Sequence, residues 1–206
     1  MKKPNKPDYS IPKSYRVISL LNCLGKVVEK IVATALSNLC EENKLLHKGQ
    51  FGYRKQRNAI DAVAKLILTT ENAWNSKQQL GALFMDVKGA FDCVIKQQLI
   101  QRLVELKIPG FLVKWVDSFL TDRQAQLVID GFTCQLQDIC AGVPQGSLVS
   151  PILFNMYLSG IFEKIEQENP DITALSFADD IGFLAPGKTV EDIQKALSQA
   201  GDLAVK

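Results

Sequence analysis

The chain has 206 residues, 47% hydrophobic and 22% charged, with a net charge of +2. That composition excludes a disordered polymer and supplies a core for one medium domain or two small subdomains. No apolar run reaches the ~20 residues of a bilayer span, the basic opening MKKPNKPDYS leads into no signal-like apolar segment, and the five cysteines form no C-x-x-C pair; the expected setting is intracellular, nucleus or cytoplasm, rather than secreted or membrane-bound.

In chain order, the prolines at 4, 7 and 12 predict an extended opening. Leu20, Leu24, Val27, Val28, Ile31, Val32, Ala35 and Leu39 recur at helical spacing, and NKLLHKGQFGYRKQR reads as a basic loop. Asn58 and Asp61 resemble a helix start, continued by Ile60, Val63, Ile67, Glu71 and Trp74. QLGALFMDV predicts a buried strand ending near Asp86. Two helical patterns, 95–107 and 110–120, divide at Pro109-Gly110, and Asp130-Gly131 signals a hairpin. A turn at AGVPQG precedes a helix with Pro151 in its first turn. ITALSFADDIGFLA reads as two short strands joined at Asp179-Asp180, and Thr189 with Asp192 as a capping box opening the last helix. Antiparallel strands with helices packed on one face make an α+β domain.

Charge is unevenly placed. Residues 1–60 carry twelve Lys/Arg against four Asp/Glu, a balance of +8, and residues 61–206 a balance of −6. A polyanion grip beside a cation site would look like this, and so would solvated surface charge. His47 is the sole histidine and lies far from any nucleophile, which argues against Ser-His-Asp or Cys-His chemistry.

Residues 176–189, SFADDIGFLAPGKT, carry two competing signals. Gly182 to Thr189 fits the phosphate-cradling G-x-x-x-x-G-K-[ST], the mark of a P-loop nucleotidase. Two aspartates precede it, however, its loop is Phe183-Leu184-Ala185-Pro186, and Pro186 has no N–H to offer a phosphate. Gly187 reads more simply as a turn residue. In the other reading Asp86, Asp179 and Asp180 converge from strand ends on Mg²⁺, a hard cation that prefers oxygen ligands, unless the pair at 179–180 is only a turn.

FMDVKGAFD (84–92), AGVPQGSLVSPILFNMYL (141–158) and LSFADDIGFL (175–184) resemble, in order and spacing, three palm motifs of reverse transcriptases. YRVISLLNCLGKVVEKI (15–31) and QFGYRKQRNAIDAV (50–63) resemble the two preceding fingers motifs of non-LTR (LINE-type) retrotransposon enzymes. The resemblance implies an RNA-directed DNA polymerase with a right-hand fold: fingers over 1–80 and palm, with inserted helices, over 81–206. It also implies two Mg²⁺ ions, with Mn²⁺ as a substitute, and an RNA template, a DNA primer and dNTP as partners; no protein partner is implied. Asp86 and Asp179 would bridge the ions, Asp180 would be the third carboxylate and the Val87 carbonyl would complete a shell. Phe91 matches the family's sugar gate, with a core aromatic on a following helix as the plainer role. Gly89 would allow close approach of the nucleotide, and Asp92 would order the local turn. Gln145 and Gly146 would lie beside the nascent base pair, Arg16 and Lys26 on the triphosphate, and Arg54 on the template. Ser147 and Ser150 are expected as helix caps. Leu148 stands where the family has proline, softening that turn. On this resemblance the chain stops at Lys206 before a primer grip and thumb, so a weakly active or inactive fragment is expected. The alternative is a non-catalytic, retroelement-derived RNA-binding remnant.

Overall fold

The computed structural model describes residues 1–129 and 131–205. Its proline-rich opening is not simply extended. Pro12 starts a short 3-10 turn, Pro12–Ser14, and the chain folds back on itself, with Lys3 N–H donating to Ser14 O at 2.8 Å and Arg16 N–H to Met1 O at 2.7 Å. Asn22 then caps α1 (Cys23–Glu42) by accepting the Leu24 N–H at 2.9 Å. The expected box at Asn58 and Asp61 opens α2 (Ala59–Asn75), each side chain taking the other's backbone N–H. β1 (Gln79–Asp86), α3 (Lys96–Glu105) and α4 (Gly110–Phe119) follow.

Four two-residue strands come next: β2 (Gln124–Ala125), β3 (Val128–Ile129), β4 (Phe132–Thr133) and β5 (Gln137–Asp138). They form one ribbon of nested pairs, β2 with β5 and β3 with β4. Its tip carries Gly131 at φ +82°; Asp130, the other half of that hairpin signal, lies outside the described residues. α5 (Ser150–Glu168) has Pro151 in its first turn, as expected. β6 (Thr173–Phe177), β7 (Asp180–Gly187) and α6 (Val190–Val205) complete the chain.

The main sheet is antiparallel in the order β1-β7-β6. β1 is therefore an edge strand with alternating exposure, not the buried strand its apolar run suggested; β7 is the central one. Side chains alternate across the sheet. The face carrying Leu83, Ile181 and Phe183 packs on α5 and α6 and belongs to the principal core. Gly81 lies against Ile193 and Leu197 of α6, where a Cβ would come within 2.2 Å of Ile193 Cγ2. The opposite face bears a smaller cluster, Phe51, Leu175 and Leu184 with Leu66 and Leu80, so α2 is added over part of that side. Thus α2, within the segment 1–80, packs directly on the sheet of the second segment.

β7 occupies 180–187, so the G-x-x-x-x-G-K-T stretch is strand followed by a turn. Thr189 Oγ1 accepts the Asp192 N–H at 3.2 Å and bonds its carboxylate at 2.8 Å. The P-loop reading fails because backbone paired in a sheet cannot cradle phosphate. Lys188→Ala is accordingly expected to leave nucleotide affinity unchanged, as measured by equilibrium titration with ATP and GTP.

Candidate active site

Pairing of β1 with β7 sets Asp86 directly opposite Asp180, a separation of about 4.5–5.5 Å between Cα atoms. Asp179 lies in the two-residue loop between Phe177 and Asp180, and its carbonyl accepts the Val87 N–H at 3.1 Å. Asp86, Val87, Asp179 and Asp180 are thereby gathered at one end of the sheet. Ala178, first of the loop residues, takes φ +58°. That is the II′ pattern glycine usually fills, so a non-glycine residue holds strain immediately before Asp179.

All three carboxylates are exposed, on or beside an open part of the sheet where Phe84 is 66% exposed. Among the described residues none of the three makes an ion pair. Like charges directly opposite one another destabilise a sheet, and a divalent cation would relieve this pair. The donors are carboxylate and carbonyl oxygens, the set Mg²⁺ and Mn²⁺ prefer. The Val87 carbonyl accepts the Ala90 N–H at 3.1 Å and keeps a second lone pair. Among the described residues no three acidic, histidine or cysteine side chains form a ready cage. The backbone brings the four donors to one end of the sheet, and a change of side-chain rotamer would be needed to close them on an ion. This suits Mg²⁺, which retains waters and takes one or two carboxylates together with substrate phosphates.

Phe91 lies in the turn between β1 and α3, not on a helix, and packs on the core. Its ring stacks on Phe154 with centroids 5.3 Å apart and meets the edge of Tyr53 at 6.2 Å. Its carbonyl accepts the Val143 N–H at 2.8 Å, joining this turn to the PQG loop. Asp92 N–H donates to Gly89 O at 2.8 Å within the same turn, where Gly89 takes φ +65°. On the loop's other side Gln145 O accepts the Ser19 N–H at 2.7 Å, and Gly146, at φ +116°, leaves only enough room for the Ser19 carbonyl. Arg16 and Lys26 stand on the segment pinned there, and among the described residues neither makes an ion pair.

Neither serine caps α5. Ser147 Oγ accepts the Val149 N–H at 3.2 Å just ahead of the helix and donates to Glu29, whose carboxylate also takes the Leu148 N–H at 3.0 Å; Ser150 Oγ is buried with no hydrogen-bond partner among the described residues. Glu29, only 3% exposed, thus locks α1 onto the PQGS turn. The helical spacing of apolar residues passed over it, although it lies three residues before buried Val32. Arg123, also missed, donates from Nη2 to the Ala141 and Gly142 carbonyls at 2.9 and 2.6 Å, and burial lowers its pKa.

Arg54 is not placed to hold a template. Its side chain is 4% exposed and forks onto Glu41 at 2.7 and 2.6 Å, while Nη1 donates to the His47 and Gln50 carbonyls. The guanidinium holds Glu41 below the ordinary carboxylate range. Four of its five N–H groups thus tie the loop 47–54 to α1. Asn155, in the apolar run of α5, donates to Gly52 O at 2.8 Å, and its own carbonyl accepts from Gln50 at 2.9 Å. A lone amide inside such a run is a signal for a buried hydrogen bond. The loop lies directly on the Ala178 turn, where a Cβ at Gly52 would come within 2.3 Å of Ala178 N. Tyr53 follows, its phenol pKa raised by burial and by the nearby Asp179 carboxylate.

His47 anchors the start of the loop. Nδ1 accepts the Gly49 N–H at 3.1 Å, so Nε2 carries the proton it shares with Glu166, 3.1 Å away. Burial pushes its pKa below 6.5, against the upward pull of Glu166. A histidine depressed in the folded state takes up protons preferentially on unfolding, so stability declines as pH falls below 6.5 and levels off beneath the folded pKa. Urea midpoints across that window should fall for the wild type and stay level for His47→Gln. The cavity lined by His47, Lys65, Glu166 and Ala174 shares no residue with the carboxylate cluster.

Comparison with known proteins bears on this geometry. Residues 1–204 match the family model described as reverse transcriptase (RNA-dependent DNA polymerase). The chain is 31% identical over 180 residues to the RNA-directed DNA polymerase from mobile element jockey of Drosophila melanogaster, covering 86% of this chain and 20% of that protein. It is 29% identical to the Pol polyprotein from type-1 retrotransposable element R2 of Popillia japonica, covering 88% and 26%. It therefore spans about a fifth to a quarter of these relatives' length. The fold is shared with apo telomerase from Candida tropicalis truncated from its C-terminal domain, at TM-score 0.60 and 15% identity over 87% of this chain and 36% of the other. Telomerase from Candida albicans gives 0.56 and 14% over 88% and 32%. With its motifs matched from end to end and its aspartates facing across a palm-like sheet, the chain belongs to the reverse transcriptase (RNA-dependent DNA polymerase) family.

Proposed function

We propose that the chain is the nucleotidyl-transfer core of an RNA-directed DNA polymerase, with residues 1–80 as fingers and 81–206 as palm. The observation that carries this reading is Asp86 opposite Asp180, with Asp179 in the adjoining loop. Two Mg²⁺ ions, or Mn²⁺, held by Asp86, Asp179, Asp180 and the Val87 carbonyl would activate the primer 3′-hydroxyl and neutralise charge on the phosphates. The remaining roles belong to the chain itself. Arg16 and Lys26 draw the triphosphate to the loop pinned by Ser19. Gln145 and Gly146 flank the nascent base pair. Phe91 fills the space a ribose 2′-hydroxyl would need. The 3′-oxygen bonds to the α-phosphorus of the dNTP as pyrophosphate leaves, in a step governed by positioning and electrostatics. Template contacts fall mainly on the backbone, since a polymerase must accept any sequence, and the basic first segment suits that polyanion. Five free cysteines fit a reducing intracellular compartment, nuclear or cytoplasmic.

The test is single-nucleotide addition to a DNA primer on an RNA template, run beside RNA binding over a salt series. Addition that requires Mg²⁺ or Mn²⁺ and is lost in Asp179→Asn is the expected result. Salt-sensitive RNA binding with no metal-dependent addition would instead assign the chain to RNA binding alone.

A further inference from the structure

Tyr53 is held in an unusual way. It takes φ +56°, a conformation that costs a bulky residue energy. Both its neighbours are anchored. The Gly52 carbonyl accepts from buried Asn155, and the Gly52 Cα rests on the backbone of Ala178. Arg54 is fixed by Glu41 and two loop carbonyls. The Tyr53 side chain, by contrast, is 48% exposed. Its ring stands edge-on to Phe91 at 6.2 Å and 74°, while Phe154 stacks on Phe91 at 5.3 Å. Phe91 is thus held by two rings, one buried on α5 and one presented by a strained loop.

We propose that Tyr53 is a positioning residue for sugar selection: it keeps the Phe91 ring from swinging out of the space a ribose 2′-hydroxyl would enter, and Asn155 holds Tyr53 in place. This rests on the polymerase reading and on Phe91 as its gate. A ring blocks a hydroxyl only while its rotamer is fixed. Phe154 limits it from the core, and Tyr53, itself half-exposed, is the other ring packed against it among the described residues. The strained backbone fits this role, because a relaxed loop would carry the Tyr53 ring away from Phe91.

The experiment compares kcat/KM for dTTP and UTP in single-nucleotide addition by the full chain, with displacement of a fluorescent dTTP analogue from the chain bound to primer–template as an equilibrium measure. Tyr53→Ala should lower the dTTP/UTP preference by roughly 3- to 10-fold, the scale of one aromatic edge contact. Tyr53→Phe, which keeps the ring, should restore it, and Asn155→Ala should lower it in the same direction. The melting temperature of Tyr53→Ala should stay near wild type, since the side chain is half exposed. Phe91→Ala is the control. If Phe91→Ala relaxes selection and Tyr53→Ala does not, the inference is overturned and the gate stands. If Phe91→Ala changes nothing, or the wild type binds no dTTP in the presence of metal, the gate and the inference fall together.

Discussion

Asparagine at Asp86 is expected to abolish metal-dependent nucleotide addition and, at the same time, to make the metal-free protein slightly more stable. Both effects follow from one register. Asp86 and Asp180 face each other across β1 and β7, exposed, with no ion pair among the described residues. Without a cation they repel, and removing one charge should recover about 0.2–1 kcal/mol, the scale of a cross-strand pair. In the proposed site that same charge would become a ligand of the cation. Losing it should lower the rate by at least ~10³-fold, about 4 kcal/mol of transition-state stabilisation. Melting curves with and without Mg²⁺ should cross over: the variant melts higher without the ion and gains less from it. Titration calorimetry should show weaker Mg²⁺ binding for Asp86→Asn, and weaker still for Asp179→Asn. Equal Mg²⁺ affinity in wild type and both variants would remove the carboxylates from the site.

Arg54→Ala should act on folding and not on template affinity. Its guanidinium is buried, bonded to Glu41 through both oxygens and to two backbone carbonyls of the loop that covers the Ala178 turn. Removing it strands those acceptors. Glu41 is about one-third exposed, so water recovers part of the loss, leaving about 2–4 kcal/mol and a fall in melting temperature on the order of 5–15 °C. Arg54→Lys keeps the charge without the planar fork and should lie between. A template contact predicts the opposite pattern: an unchanged melting temperature and a shallower salt dependence of RNA binding. That pattern would return Arg54 to the template groove.

What could be read without the fold was local. The Asn58–Asp61 box, Pro151 in the first turn of α5, the Thr189–Asp192 cap and the hairpin at Asp179 all depend on residues within four positions of one another, where backbone geometry alone decides. The grouping of Asp86 with Asp179 and Asp180 at strand ends stood beside a plain turn as the alternative until the motifs' resemblance to a family favoured it, since no local pattern links residues so far apart in the chain. Packing decided the rest. Of the residues whose spacing signalled α1, Leu24, Val27, Val28 and Ile31 face solvent and Leu20 lies ahead of the helix, while Val32 is buried together with Glu29, Leu36 and Cys40. In α2 Ile60, Val63, Ile67 and Trp74 likewise point outward, and Ala73 is buried. A helix with two apolar stripes satisfies helical periodicity whichever one is covered; only its neighbours choose. Glu29 reached Ser147, and Asn155 reached Gly52, across more than a hundred residues. Arg54 found Glu41 before it could face a template. In each case the residue type announced a polar group in need of a partner, and only the tertiary structure determined which partner it met.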